Sequence, residues 1–484
     1  MKVLAFDFGA SSGRAIIGTF ENGKISLEEI HRFDNGPVLM NGGFYWDLPK
    51  LFHEVKQGLI KAEKYGYESI GIDTWGVDYA LITLDGLLLG NPYNYRDERT
   101  IPVFEKIKET IGESKLYKMT GIQNMNINTL YQLLETKENH PDFYALADRL
   151  ILMPDLFGYL LTGKVYAERS MASTTQLLDP YTKDWNKKLI DKLGLDITKF
   201  PELVDSGTQI APIKEEICKE LDITPKMLTA IAGHDTASAV VAVPAKVKDF
   251  VYISCGTWSL FGTELDEPCI TEMSAEMNIT NEGGHNRTTR FLKNIIGLWM
   301  IQETRRQFKR EGKDYSYADM EKMARESKAM QCFIDPDDPR FTPPGNQIQR
   351  IREFCQETGQ YVPETDGEII RCIYESLAMK YKYTFENLQK CTGKTFEAIH
   401  MVGGGTKDGF LCQMTADATN VPVIAGPIEA TAAGNIAVQL IAAGEIKDLK
   451  EAREIIADSF SVQEFTPSDK TFDEYYEDFC KILK

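Results

Sequence analysis

The chain is short of positive charge. It carries 54 Lys and Arg against 72 Asp and Glu, a formal net charge of −18. Nucleic acid and anionic membranes are gripped by basic faces, so neither is expected as a partner. A phosphate ligand stays compatible with this balance, because backbone N–H groups or Mg²⁺ can hold one locally. No apolar run is long enough to span a bilayer. The opening Met1-Lys2-Val3-Leu4-Ala5-Phe6-Asp7 reads as a strand rather than a signal peptide. The nine cysteines include no Cys-x-x-Cys pair, which argues against a disulfide framework and for reduced thiols in a cytoplasm. The six histidines show no metal-ligand spacing, so a zinc site is not expected. A Walker A loop is missing too, since no Gly-Lys-Ser/Thr follows a glycine turn.

At 484 residues the chain exceeds one ordinary core, and two or three domains are expected. Residues 2–8, 14–20 and 25–33 read as strands joined by turns. Leu48, Leu51, Phe52, Val55 and Leu59 follow helical spacing. Strands are expected at Ser69–Asp73 and Tyr79–Leu84, then a largely helical stretch over about 100–195. Near residue 250 the outline begins again, with strand 250–255, a Gly256-Thr257 turn and strand 258–264. A long helix carrying Ile369 to Leu388, a strand 398–402, Gly403-Gly404-Gly405, a helix 407–418, a strand 421–424 and a helix 431–443 follow. The two halves share a plan, so the reading is an α/β fold of two duplicated units, 1–245 and 246–484, with a cleft between the copies. The tail from about 445 reads as helical and acidic, with no chemistry assigned.

Five motifs carry potential chemistry. Asp7-Phe8-Gly9-Ala10-Ser11-Ser12-Gly13-Arg14 puts small residues between two strands, where backbone N–H groups and hydroxyls can approach phosphate. Asp7 at the strand end is placed to hold Mg²⁺ through water; the whole also reads as a plain hairpin turn. A strand, not a helix, follows this turn, so it is not the dinucleotide fingerprint. Tyr252-Ile253-Ser254-Cys255-Gly256-Thr257-Trp258-Ser259 is a second such hairpin. Ala232-Gly233-His234-Asp235-Thr236 precedes a small-residue helix, where Asp235 reads either as a helix cap or as the carboxylate that takes a hydroxyl proton during phosphoryl transfer. Ile72-Asp73-Thr74-Trp75-Gly76-Val77-Asp78 ends a strand with polar groups and a flat aromatic, where open α/β sheets bind ligands. Trp75 there either covers a sugar face or packs in the core, and Tyr95-Arg96-Asp97-Glu98-Arg99-Thr100 either reads hydroxyls or forms a surface ion-pair cluster. His400-Met401-Val402-Gly403-Gly404-Gly405 lets a planar base and ribose lie against backbone.

In this order the motifs resemble the FGGY carbohydrate kinases. Gly9–Arg14, Ile72–Asp78, Tyr95-Arg96-Asp97, Gly233–Ala239, Asn294–Trp299 and Val423–Ala430 carry the resemblance over nearly the whole chain. It implies two actin-like, ribonuclease H-like domains with a catalytic cleft. It implies that Ala10, Ser11, Ser12, Gly13 and Arg14 contact ATP phosphates, and that Thr257, Gln302 and one glycine of Gly403, Gly404 and Gly405 complete the nucleotide site. Gly76 would leave room for the sugar; Asp73, Trp75, His234, Asp235, Thr236 and Asn294 would line it, with Asp235 the base and Asp7 beside Mg²⁺. The implied reaction is phosphorylation of a ketose, L-rhamnulose, to its 1-phosphate in L-rhamnose breakdown, by a cytoplasmic monomer or homodimer whose domains close on substrate. Another ketose such as L-fuculose or L-xylulose is the alternative, and a non-catalytic sensor of the same fold is a third reading. One departure stands out: related sequences tend to carry Asn where Asp408 stands, which removes an amide donor from the nucleotide end.

Overall fold

A computed structural model describes residues 1–483. By its contacts the chain falls into two compact units. The first comprises Met1–Lys246, Glu264–Phe291 and Ala430–Phe460; the second comprises Val247–Thr263, Leu292–Glu429 and Ser461–Lys484.

The first unit is built on a six-stranded sheet of β1 (Lys2–Phe8), β2 (Ser12–Glu21), β3 (Lys24–Asp34), β4 (Ser69–Thr74), β5 (Thr208–Pro212) and β6 (Met227–Ala230). Its order is β5-β6-β4-β1-β2-β3. The apolar run of β1 is buried on both faces from Val3 to Phe8, as a central strand with a parallel neighbour requires. β1 pairs antiparallel with β2 and parallel with β4, and β6 runs parallel to β4. The helix Leu48–Glu63 starts at Asp47, whose carboxylate accepts the Lys50 N–H at 3.2 Å. It buries Leu48, Leu51, Val55 and Leu59, each contributing about 1.5–3 kcal/mol of burial energy.

Cutting the chain at 245/246 therefore describes it incompletely. The helix Ala430–Ala443 packs in the first unit, and its small residues explain why. A Cβ on Gly434 would lie 1.8 Å from the carbonyl oxygen of Ser238, in the helix Asp235–Val241. Ile436 in turn fills the space over Gly18 of β2, where a Cβ would meet it at 2.6 Å. The backbones approach so closely that only glycine fits at these contacts.

A seven-stranded sheet repeats the motif with β7 (Val251–Cys255), β8 (Trp258–Leu265), β9 (Thr289–Ile296), β10 (Ile399–Val402), β11 (Val423–Ala425) and β12 (Gln463–Phe465), in the order β9-β8-β7-β10-β11-β12 with the strand Thr280–Gly283 at the edge beside β9. Thr280–Gly283 and Thr289–Phe291 belong to the first unit and most of the rest to the second. β7 pairs antiparallel with β8 and parallel with β10. The helix Asp366–Thr392 opens on a Thr365/Glu368 capping box and stops at Gly393 with φ 67°, the left-handed conformation that glycine adopts without cost. Among the described residues no helix is long and apolar enough to cross a membrane.

Candidate active site

Three carboxylates of the first unit emerge together at the carboxyl ends of its parallel strands. Asp7 and Asp73 are register partners on β1 and β4. Asp235 follows β6, and the chain there is tied to β4 by the Thr74 N–H donating to the Gly233 carbonyl at 2.9 Å. Ligands bind at this end of parallel sheets. Arg14, opposite Asp7 on β2, forms an ion pair with it. Asp73 is fully buried. Its Oδ2 accepts from Asn435 Nδ2 at 2.6 Å, and its Oδ1 has no hydrogen-bond partner. Burial, and then the negative charge of Asp7, hold its carboxyl well above the usual carboxylate range.

Asp235 is the first residue of its helix, with His234 as the cap residue, so the cap reading of Asp235 does not hold. Its Oδ1 accepts the Thr236 N–H at 2.6 Å and the Thr236 hydroxyl at 3.2 Å. His234 Nε2 stands 3.3 Å from the same oxygen. Both hydrogen bonds and the His234 contact fall on Oδ1, while Oδ2 takes none among the described residues, and the side chain keeps 33% of its surface exposed. Burial raises its pKa, the neighbouring His234 offsets part of this, and Asp7 adds to the rise. Behind the loop, the buried Glu168 accepts the Gly233 N–H at 3.0 Å and the Ser170 hydroxyl at 2.5 Å.

Two sequence expectations need correcting here. Trp75 offers no face to a sugar: it is 5% exposed, its ring centroid lies 3.9 Å from that of Trp46, and its Nε1 donates to Asp78 at 3.0 Å. Asp73 has no exposed surface to offer a sugar: Asn435 holds its Oδ2, and it stands opposite Asp7. At Gly76, expected to leave room for a sugar, a Cβ would lie 3.2 Å from Thr174, a packing contact within the protein. The next residue, Val77, holds φ 67°, an uncommon state for a β-branched residue. Its N–H donates to Thr174 Oγ1 at 3.0 Å and its carbonyl accepts from Thr129 Oγ1 at 2.5 Å. Ala10, Ser11 and Ser12 form the open tip of the first hairpin, which Asn35 braces by donating from Nδ2 to the Gly9 carbonyl at 2.8 Å. Gly13 is needed for packing, because a Cβ there would lie 2.2 Å from the Phe33 ring.

The second unit carries the other expected residues. The Gly256-Thr257 turn is tied to the start of the helix Trp299–Arg310: the Leu298 N–H donates to the Gly256 carbonyl, and the Trp299 N–H to the Thr257 carbonyl, both at 3.1 Å. Gln302 lies in the first turn of that helix, and Asn294 in β9. The three glycines separate into two roles. A Cβ on Gly405 would lie 2.2 Å from Cys255 Sγ, and one on Gly403 3.1 Å from the Cys255 carbonyl, whereas Gly404 faces open space. Asp408 spends both oxygens inside the protein. Its Oδ1 caps the helix Gly409–Thr419 through the Leu411 N–H at 3.0 Å, and its Oδ2 accepts the Tyr374 hydroxyl at 2.6 Å. Sequence reading gave no signal for Asn435, Glu168 or Asp408's partner Tyr374, because each lies far along the chain from the group it holds.

Residues 2–242 match the FGGY family of carbohydrate kinases, N-terminal domain, and residues 251–443 its C-terminal domain. The chain is 44% identical to the rhamnulokinase of Enterococcus faecalis over 99% of this chain and 97% of that one. It is 42% identical to the rhamnulokinase of Bacillus subtilis over 97% and 96%. Among solved structures, a ligand-bound xylulose kinase from Lactobacillus acidophilus superposes with a TM-score of 0.81 at 19% identity, covering 99% of this chain and 97% of that one. Plasmodium falciparum glycerol kinase with ADP superposes at 0.79 and 14% identity, covering 99% and 97%. The repeated sheet, the carboxylate cluster and these likenesses agree: the chain belongs to the FGGY family of carbohydrate kinases.

Proposed function

We propose that this kinase transfers the γ-phosphoryl group of ATP to the terminal hydroxyl of L-rhamnulose, giving L-rhamnulose 1-phosphate and ADP. The substrate class follows the rhamnulokinases that match nearly the full chain at 44% and 42% identity, and they favour it over L-fuculose or L-xylulose. A sensor reading is disfavoured by an intact carboxylate site.

The observation that carries the mechanism is the division of labour on Asp235. With Oδ1 occupied by Thr236 and His234, Oδ2 is the oxygen left to take a proton. The sugar oxygen attacks the γ-phosphorus, the bond from that phosphorus to the bridging β–γ oxygen breaks, ADP leaves, and the hydroxyl proton passes to Oδ2. His234, Thr236, Gly76 and Asn294 contact the sugar. The open tip at Ala10–Ser12, with Gly13 and Arg14, faces the phosphates, and Thr257, Gln302 and Gly404 take the nucleoside end. The donor set fits Mg²⁺: Asp7 and Asp73 offer hard oxygens side by side, and Asp73 Oδ1 is a buried acceptor without a partner. An ion held there would neutralise charge on the phosphate oxygens. We place the reaction in the cytoplasm, where ATP is at hand, carried out by a monomer or homodimer.

The test is a panel of ketoses with Asp235→Asn alongside. L-Rhamnulose should give the fastest ADP release. The variant should lose about 10²–10⁴-fold in kcat while calorimetric affinities for sugar and ATP hold. Near-normal turnover in the variant would remove Asp235 from the chemistry, and ADP release only with another ketose would overturn the substrate.

A further inference from the structure

One buried charge pair has no part in the reaction as described, yet touches it. Arg290, in β9, has no exposed surface, and Glu282, in the strand Thr280–Gly283, is nearly as deep. Arg290 Nη2 lies 3.0 Å from Glu282 Oε2 and 3.1 Å from His234 Nδ1. Its Nε donates to the Gly283 carbonyl at 2.8 Å, which fixes the plane of the guanidinium. A buried ion pair of this kind is weak evidence for stability, because desolvation offsets most of its attraction. Specific geometry is the better account of its presence.

The geometry concerns which imidazole nitrogen holds the proton. A guanidinium donates and cannot accept. Glu282 Oε2 stands farther from Nδ1, at 3.4 Å, than Arg290 Nη2, at 3.1 Å. A proton on Nδ1 would meet the nearer Arg290 hydrogens, so Nδ1 takes that shorter contact with its lone pair and the proton sits on Nε2. Nε2 is the nitrogen 3.3 Å from Asp235 Oδ1. Asp235, Glu282 and Arg290 are the charged groups facing the ring. We propose that Arg290, fixed by Glu282, is a positioning residue for phosphoryl transfer: it locks His234 as the Nε2–H tautomer and so directs a further donor to Oδ1 of Asp235, keeping Oδ2 as the proton acceptor.

The proposal rests on the assignment of Asp235 as the base, and its test separates the two. The probe is full-length protein labelled with ¹⁵N-histidine, read by long-range proton–nitrogen NMR, with the His234→Gln variant identifying the ring. Wild type should show the proton on Nε2 and none on Nδ1 at His234, whatever Asp235→Asn does to activity. Because removing one member of the pair strands a buried charge, the informative variant is Arg290→Met with Glu282→Gln, which removes both. It should lose the single tautomer and fall about 10–100-fold in kcat/KM for the ketose, the usual scale for a lost orienting partner, with the KM for ATP unchanged. If that double variant does not fold, Arg290→Lys keeps the pair with Glu282 but lacks the planar fork, and should show the same loss of tautomer in milder form. A folded variant of either kind with one unaltered tautomer and wild-type kcat/KM overturns the proposal.

Discussion

The glycine turn after β1 and the glycine turn after β7 occupy the same local topology and differ in charge. Each follows a buried strand that pairs antiparallel with the next strand and parallel with a third. In the first unit the paired strand ends bring Asp7 opposite Asp73, with Arg14 across the turn. In the second, Ser254 stands opposite Val402, and the turn holds Cys255, Gly256 and Thr257. The scaffold alone therefore does not decide the chemistry. One copy concentrates carboxylates, which suits charge neutralisation and proton transfer; the other is neutral and glycine-packed, which suits a close fit to an uncharged ring.

If charge is what separates the two turns, neutralising equivalent positions must have unequal effects. Asp7→Asn should lower kcat by roughly 10²–10³-fold, the scale for removing one preorganised electrostatic group, and should raise the Mg²⁺ concentration needed for half-maximal rate. Ser254→Ala, the matching change in the second unit, should leave kcat within a few-fold. Equal losses from the two would break the comparison.

The neutral turn should be sensitive to volume instead. Gly405→Ala puts a Cβ 2.2 Å from Cys255 Sγ and 3.0 Å from its carbonyl, an overpacking that costs about 1–3 kcal/mol. A lowered melting temperature and a raised KM for ATP are expected, with the ketose KM unmoved. Gly404→Ala meets nothing in the free protein, so its effect should appear in ATP binding alone.

Much of this contrast was legible in the sequence, and the rest was hidden for a physical reason. The paired turns stood out because glycine and hydroxyl residues interrupt strongly apolar strands. The strand Thr208–Pro212 did not, since its residues are short of apolar periodicity and mostly exposed. The small residues of Ala430–Ala443 signal close packing, but nothing in their spacing says that the partner is Ser238 in the first unit. Trp75 was ambiguous for the same reason: an aromatic at a strand end suits a ligand or a core equally. The deciding partner, Trp46, comes from a hairpin, Pro37–Met40 with Gly43–Trp46, that no pattern announced. Arg290 and Glu282 are visible only as charges until the fold buries them against His234.

A further asymmetry is that the first unit sets a buried carboxyl, Asp73 of β4, opposite Asp7. Burial, and then the charge of Asp7, hold the Asp73 carboxyl well above the usual carboxylate range. A carboxyl whose folded pKa is raised stabilises the fold while it stays protonated, and that contribution is lost as pH rises through the folded value. Asp73→Asn mimics the neutral form. Without Mg²⁺, the variant should melt higher than wild type at alkaline pH, with the gap closing once the pH falls below the ordinary carboxylate range. The same change should weaken Mg²⁺-dependent turnover. A variant less stable than wild type at alkaline pH would show that Asp73 is charged in the free protein.

The smallest effect is expected at Asp408, where an asparagine would put an amide in place of the carboxyl. Both oxygens of Asp408 are already committed, Oδ1 to the Leu411 N–H and Oδ2 to the Tyr374 hydroxyl. Asn is as good a helix cap as Asp, and its single oxygen can keep the Leu411 bond. Its NH₂ would face the Tyr374 hydroxyl, which can turn to accept. Burial already raises the Asp408 carboxyl pKa, so exchanging it for a neutral amide removes little stabilising charge. Asp408→Asn should therefore shift stability by no more than about 0.5 kcal/mol, as an isosteric cap exchange does, and leave the KM for ATP unchanged. A marked gain in ATP affinity would mean that this position reaches the nucleotide after all, and that the neutral turn has a polar contact its open glycine does not supply.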